Sequence, residues 1–201
     1  MVELHQLTAD FATALKAVDA RRPVAVNQRS KAPFRPGLGP HSEAATVELV
    51  MRELANRDPV RYREHALAVP YAAMPRQRCD LCLGTSSEWE WAIEVKLLRF
   101  LGDNGDANDN ILMHILSPYP AHRSALTDCS KLVASGLGDR KAILMYGFES
   151  VEWPLAPAIE AFEILARTRV RLGARHSATF EGLIHPVHSS GAVFVWEISS
   201  A

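Results

Sequence analysis

Two carboxylates and an amine with the makings of a reaction centre lie in mid-chain: Asp80, then fourteen positions later Glu94 and Lys96 within Ile93-Glu94-Val95-Lys96. Trp89, Trp91, Ile93, Val95 and Leu97 alternate, which predicts a strand with one apolar face and with Glu90, Ala92, Glu94 and Lys96 on the other. Cys79-Asp80-Leu81-Cys82-Leu83 reads as a shorter strand, and Gly84-Thr85-Ser86-Ser87 as the turn between the two. Paired with their polar faces on one side, such strands bring Asp80 and Glu94 within reach of one divalent cation, with Lys96 one side-chain step along. Neighbouring carboxylates repel, and a hard ion such as Mg²⁺ relieves that repulsion while keeping water ligands for chemistry. The lysine would then orient water or offset charge on a phosphate. The competing expectation is a solvated ladder of ion pairs.

The elements that must position this pair are legible from local pattern. A helix starts at Thr8 or Asp10, carries Phe11, Leu15 and Val18, and stops near Arg21-Arg22-Pro23. Residues 23–40 form an irregular basic arm with Arg29, Lys31 and Arg35. Ser42 caps a helix to about Asn56 whose stripe is Val47, Val50, Met51 and Leu54; Glu43 projects onto that stripe and Glu48 off it. A strand near Ala66–Val69 precedes a segment, Pro70 to Pro75, too rich in proline for an interior strand. Beyond Phe100, an acidic, amide-rich loop runs to Asn110, without the spacing of a calcium loop. Then come a short helix over Ile111–Leu116, a helix from Ser124 through Val133, and an apolar strand, Lys141–Phe148, suited to the middle of a covered sheet. Asp128 and Lys131 share a helix face, the pattern of a surface i,i+3 ion pair. The tail is read as a helix over Ala156–Val170 and strands Thr179–Ile184 and Val193–Ile198.

An acid on a second core strand followed by (Asp/Glu)-x-Lys on a third, in the order helix, two strands, helix, strand over residues 42 to 150, resembles the PD-(D/E)xK nuclease superfamily. Residue 79 is Cys where the family name has Pro. The resemblance implies an α/β fold, a mixed central sheet flanked by helices with a restriction-endonuclease-like core. It implies phosphodiester hydrolysis with Mg²⁺, or Mn²⁺ as a substitute, held by Asp80 and Glu94, with Lys96 beside the water. It also implies a further ligand from the first core helix, where Glu43 is better placed than Glu48. The partner would be nucleic acid, DNA in the first instance, and a homodimer would follow from the need to cut both strands of a duplex. Arg76, Arg78, Asn108, Asn110, Arg123 and Lys131 are weaker candidates for substrate contact. The alternative is a catalytically inactive nuclease-fold module that binds a protein partner in a defence or repair complex, with Trp89 and Trp91 as an interface or as core.

Composition constrains these readings only loosely. A chain of 201 residues, 48% of them hydrophobic, can bury one substantial core, so a single unit over 1–201 is expected, with a helix and arm over 1–41 and an extension over 152–201. Twenty-two basic against 23 acidic residues give a net charge of −1, so a nucleic-acid surface must be a local patch. No membrane span or leader is apparent, and a cytoplasmic location is expected. Cys79 and Cys82 have metal-like spacing, but strand alternation would send them to opposite faces, so buried thiols are expected. His176, His185 and His188 are too scattered to read as ligands.

Overall fold

The computed structural model describes residues 2–85 and 88–201 and forms a mixed seven-stranded sheet between two helical layers. Its elements are α1 (Leu4–Asp19), α2 (Glu43–Arg57), α3 (Pro59–Tyr62), β1 (His65–Tyr71), β2 (Met74–Thr85), β3 (Glu88–Arg99), α4 (Met113–Leu116), α5 (Ala125–Ala134), β4 (Arg140–Phe148), α6 (Ala156–Ala166), β5 (Arg171–Leu172), β6 (His176–Glu181) and β7 (Ser190–Ser199). The strand order is β1-β2-β3-β4-β7-β5, with β6 also pairing β7. Among the described residues only β3 and β4 run parallel, which requires the crossover through α5. One face of the sheet, including Ile93, Val95, Leu144 and Tyr146, packs against Phe11 and Leu15 of α1 and Val50 and Met51 of α2. The other, including Ala92, Ile143, Met145 and Trp196, packs against Leu126, Cys129 and Leu132 of α5 and Ile159 and Phe162 of α6. The run Ala142–Phe148 is buried throughout, as an apolar strand covered on both faces must be.

Helix caps follow from local chemistry. The Ser42 hydroxyl accepts from the Ala45 N–H (3.3 Å), and Ser124 from Thr127 (3.2 Å), so α2 and α5 start where their sequences place them. Asp58 and Pro59 end α2 and open α3. Helix α1 begins earlier than Thr8: that hydroxyl is turned inward on the carbonyl of Leu4 (2.7 Å), a bond available only inside a helix. Pro70 lies in β1, an edge strand, where a missing N–H is tolerated. The tail does more than extend an edge, since β7 pairs with β4 from Lys141 to Phe148.

The strands depart from simple alternation in two places. Between β2 and β3 the register shifts at Leu83/Gly84: Leu83 faces Trp91, but Gly84 faces Trp89. This bulge turns Trp89 toward the α5/α6 core and takes Glu90 away from Glu94, to accept the Val2 N–H (3.0 Å). Gly84 carries φ +108° there, and a Cβ would strike the main chain of Glu88 and Glu90. The proposed turn Gly84–Ser87 ends in Ser86 and Ser87, which lie outside the described residues. Further along, Leu67 and Leu81 pack on the α1/α2 side, whereas Val69 and Cys79 pack on the other. Ala68 (φ +53°) and Asp80 are therefore the points at which both strands change face. One consequence corrects the alternation argument for the cysteines: Cys79 and Cys82 are buried, free and in the same core, close enough for their thiols to hydrogen-bond.

Candidate functional site

At Asp80 the chain does something a regular strand cannot. The β2/β3 ladder runs from Thr85↔Glu88 to Leu81↔Ile93, and Asp80 then accepts the main-chain N–H of Val95 through its carboxylate (Oδ2, 2.8 Å). Two residues on, the Leu97 N–H donates to Oε2 of Glu43, in the first turn of α2 (2.6 Å). Two carboxylates thus satisfy the amides of β3 that β2 leaves behind, and each keeps a second oxygen. Glu94, only 2% exposed, points to the α5 side of β3. There it receives the Tyr71 hydroxyl, lies 2.8 Å from the Lys131 ammonium, and is close enough to Asp80 to hydrogen-bond. Lys96, on the same face, is 2.7 Å from Oδ2 of Asp128, whose Oδ1 is 2.6 Å from Lys131. Lys131 also rests over the Tyr71 ring, 5.2 Å from its centroid.

Glu43, Asp80, Glu94 and Lys96 therefore converge from α2, β2 and β3, joined by Asp128 and Lys131 from α5 and Tyr71 from the end of β1. A solvated ladder does not describe them, since the side chains of Lys96, Asp128 and Glu94 are 14%, 4% and 2% exposed. The surface pair expected of Asp128 and Lys131 is formed, but Asp128 is buried, Lys131 is partly so, and the pair is tied into the same network. Glu48 instead pairs with Arg52 in solvent (2.8 Å).

Electrostatics follow from crowding four acids around two amines. Burial, reinforced by Asp128 and Asp80 and only partly offset by Lys131, holds the Glu94 carboxyl well above the usual carboxylate range. Burial likewise pushes Glu43 up to about 7, eased by Lys96 and reinforced by Asp80. Burial disfavours the charged forms of Lys96 and Lys131, but their carboxylate neighbours outweigh it, so both ammoniums are held above their ordinary value. Burial and Glu94 together keep the Tyr71 hydroxyl protonated, hence a donor.

Three clefts meet at this network. The first, about 410 Å³, is lined by Glu43, Lys96, Arg99, Asn108, His114 and Arg123. The second, about 270 Å³, is lined by Thr127, Asp128, Lys131, Arg123 and Arg169. The third, about 340 Å³, reaches Asp80 and Glu43 from the side of α2 and Ala68. Among the weaker candidates, Arg123 lines two clefts and Asn108 one, although Asn108 also donates to the Arg99 carbonyl (2.8 Å). Arg76 and Arg78 are exposed on β2, and Arg78 donates to the Ala68 carbonyl (2.9 Å); Asn110 is exposed at φ +59°. Arg29, Lys31 and Arg35 of the arm are exposed, while its end, Gly37 to His41, is buried. His185 and His188 are buried and stacked, centroids 4.9 Å apart, with His188 3.1 Å from Asp103. Trp91 is fully buried and Trp89 partly so.

Sequence reasoning missed Tyr71 and the inward turn of Asp128. For Asp128 a signal existed: it lies four residues before Leu132, about 40° from it around the helix, on the edge of the apolar stripe. Tyr71 offered none, because a hydroxyl at a strand end reads equally as solvent-facing.

The donor set is all oxygen and carries an excess of buried carboxylate, which suits a hard cation. Among the described residues no group of three or more His, Cys, Asp or Glu side chains is arranged to hold a metal ion by itself. Mg²⁺ is ordinarily held by one or two carboxylates, with water and substrate phosphate completing its shell. Comparison of the chain with protein-family models, with curated proteins and with solved structures gives no match.

Proposed function

We propose that the chain is a metal-dependent nuclease with a restriction-endonuclease-like core, hydrolysing phosphodiester bonds of nucleic acid, DNA in the first instance. The observation that carries this reading is the convergence of Glu43, Asp80, Glu94 and Lys96 at the point where β2 parts from β3. Its support from topology is the succession α2, β1, β2, β3, α5, β4, interrupted by the short α3 and α4, with β3 and β4 parallel and two of the acids on β2 and β3.

Asp80 and Glu94 would hold Mg²⁺ or Mn²⁺, with Glu43 as a further ligand. When bound, such an ion activates a water and neutralises charge on the phosphoryl oxygens. Lys96 opens onto the same cleft as Glu43 and Arg123. Held as an ammonium, it cannot take a proton from water. Its part is to orient the nucleophile and to stabilise the pentacovalent phosphorus. Arg123 and Arg99 supply the local positive charge that the chain as a whole lacks.

A second reading has its own observation. Asp80 and Glu43 both serve β3 amides, and Tyr71 and Lys131 both hold Oε1 of Glu94, so the network also works as a purely structural ion cluster in an inactive binding module. Incubation of the protein with linear and circular DNA and with RNA, in Mg²⁺ or Mn²⁺ and in EDTA, separates the two. Cutting that needs the cation and vanishes in Asp80→Asn and Glu94→Gln supports the enzyme; a folded protein that cuts none of these substrates supports the module.

A further inference from the structure

We infer that Lys131 stands where a second cation would, so that the site accepts a single divalent ion. This rests on the metal-dependent reading of the site and concerns how the cluster is filled.

Where two ions act together they share a bridging carboxylate and flank the reacting phosphate. Here an ammonium already bridges: Lys131 Nζ is 2.8 Å from Oε1 of Glu94 and 2.6 Å from Oδ1 of Asp128. Its side chain is 16% exposed and its charge is cushioned by the Tyr71 ring. Asp128 holds Lys96 through its other oxygen at 2.7 Å, so one carboxylate of α5 fixes both amines. The two amines open on different sides, Lys96 onto the cleft of Glu43 and Lys131 onto the cleft of Thr127 and Arg169.

Charge counting agrees with the geometry. In the fully ionised cluster, the state that a bound cation favours by displacing the protons Glu43 and Glu94 otherwise hold, Glu43, Asp80, Glu94 and Asp128 oppose Lys96 and Lys131, leaving an excess of two carboxylates, which one divalent ion balances. A second ion beside Glu94 would meet the Lys131 ammonium at close range, with little solvent to screen the repulsion. Asp80 and Glu43, neither of which pairs with Lys131, each keep an oxygen not used by β3.

Mn²⁺ titration of the full chain, read by the electron paramagnetic resonance of free Mn²⁺ and by calorimetry, tests this without any measurement of cleavage. Wild type and Lys131→Arg are expected to bind one ion, and Lys131→Met to bind two, with circular dichroism to verify folding. Saturation of the wild type with two ions overturns the inference while leaving the nuclease reading intact. So does a folded Lys131→Met variant that still binds one ion. Should Lys131→Met not fold, the counts for wild type and Lys131→Arg decide. Wild type that binds no Mn²⁺, or binds it equally after Asp80→Asn, overturns the metal-dependent reading and the inference with it.

Discussion

Lys96 and Glu43 show how one crowded cluster assigns different work to different side chains. If the Lys96 ammonium acts on the attacking water and the developing charge, Lys96→Ala should leave Mn²⁺ binding in place and lower cleavage by about 10²–10⁴-fold, measured on a labelled duplex. A variant that cuts at the wild-type rate would remove Lys96 from the mechanism. The acids predict a pH effect on stability in the absence of metal. Glu43 is raised from 4.5 to about 7 on folding, so the folded state holds more protons across that interval. Its contribution is fully present at low pH and is lost as pH climbs through 7; Glu94, also raised, adds in the same direction. In EDTA the melting temperature should therefore fall from pH 4.5 toward and beyond pH 7. Glu43→Gln should flatten this slope and gain on the order of 2 kcal/mol at pH 8, discounted for its partial exposure. Identical pH profiles for variant and wild type would contradict the cluster's electrostatics. That Asp80, Glu94 and Lys96 belong together was legible from their spacing, because strand alternation acts over a few residues. That Asp128 completes them was only hinted at by its place on the stripe edge, a position that does not by itself decide whether a carboxylate faces solvent or the sheet.

The elements decide where the cluster can exist, and the kink shared by β1 and β2 is the decisive one. Ala68 at φ +53° occupies a region that costs a residue with a Cβ about 1–2 kcal/mol. Ala68→Gly should therefore be neutral or stabilising by up to about 1 kcal/mol in chemical denaturation, against the usual penalty for glycine in a strand. A clear loss would mean that the kink is not strained. On the other side of the sheet, α5 is held by Ser124, whose hydroxyl caps Thr127 and also donates to the Ser117 carbonyl (2.5 Å). Ser124→Ala should cost about 1–2 kcal/mol and, by loosening the helix that carries Asp128 and Lys131, weaken Mn²⁺ binding in the same titration. Stability lost with no change in affinity would separate the cap from the site.

At the scale of the whole molecule, the tail is part of the sheet that carries the site. Strand β7 lies against β4, and at Gly191 a Cβ would collide with the Gly147 carbonyl of β4 and with the Phe180 ring of β6. Gly191→Ala should therefore cost about 3 kcal/mol or more, seen as a large drop in denaturation midpoint, since neither backbone nor a packed ring can yield cheaply. The net charge of −1 bears on binding instead. If duplex is bound at the cleft, through side chains such as Arg99 and Arg123, the salt dependence of its affinity should be shallow, with a log–log slope no steeper than about −4. A much steeper slope would point to a wide basic surface elsewhere, the exposed Arg29, Lys31 and Arg35 arm being the first place to look. Among the described residues no helix is long and apolar enough to cross a membrane.

By itself the sequence determined the order of the main helices and strands, the caps at Ser42 and Ser124, and the grouping of Asp80, Glu94 and Lys96. All of these depend on periodicities and hydrogen bonds that close within a few residues. Tertiary structure decided which side chains share a face once the strands bulge at Gly84 and turn over at Ala68 and Asp80. There a single extra or rotated residue sends Trp89, Glu90 and Cys79 to sides that alternation does not give. It also decided that Asp128, Lys131 and Tyr71 face the acids, because the rotation of a helix about its axis and the place where a strand ends are fixed by what packs against them, not by their own residues.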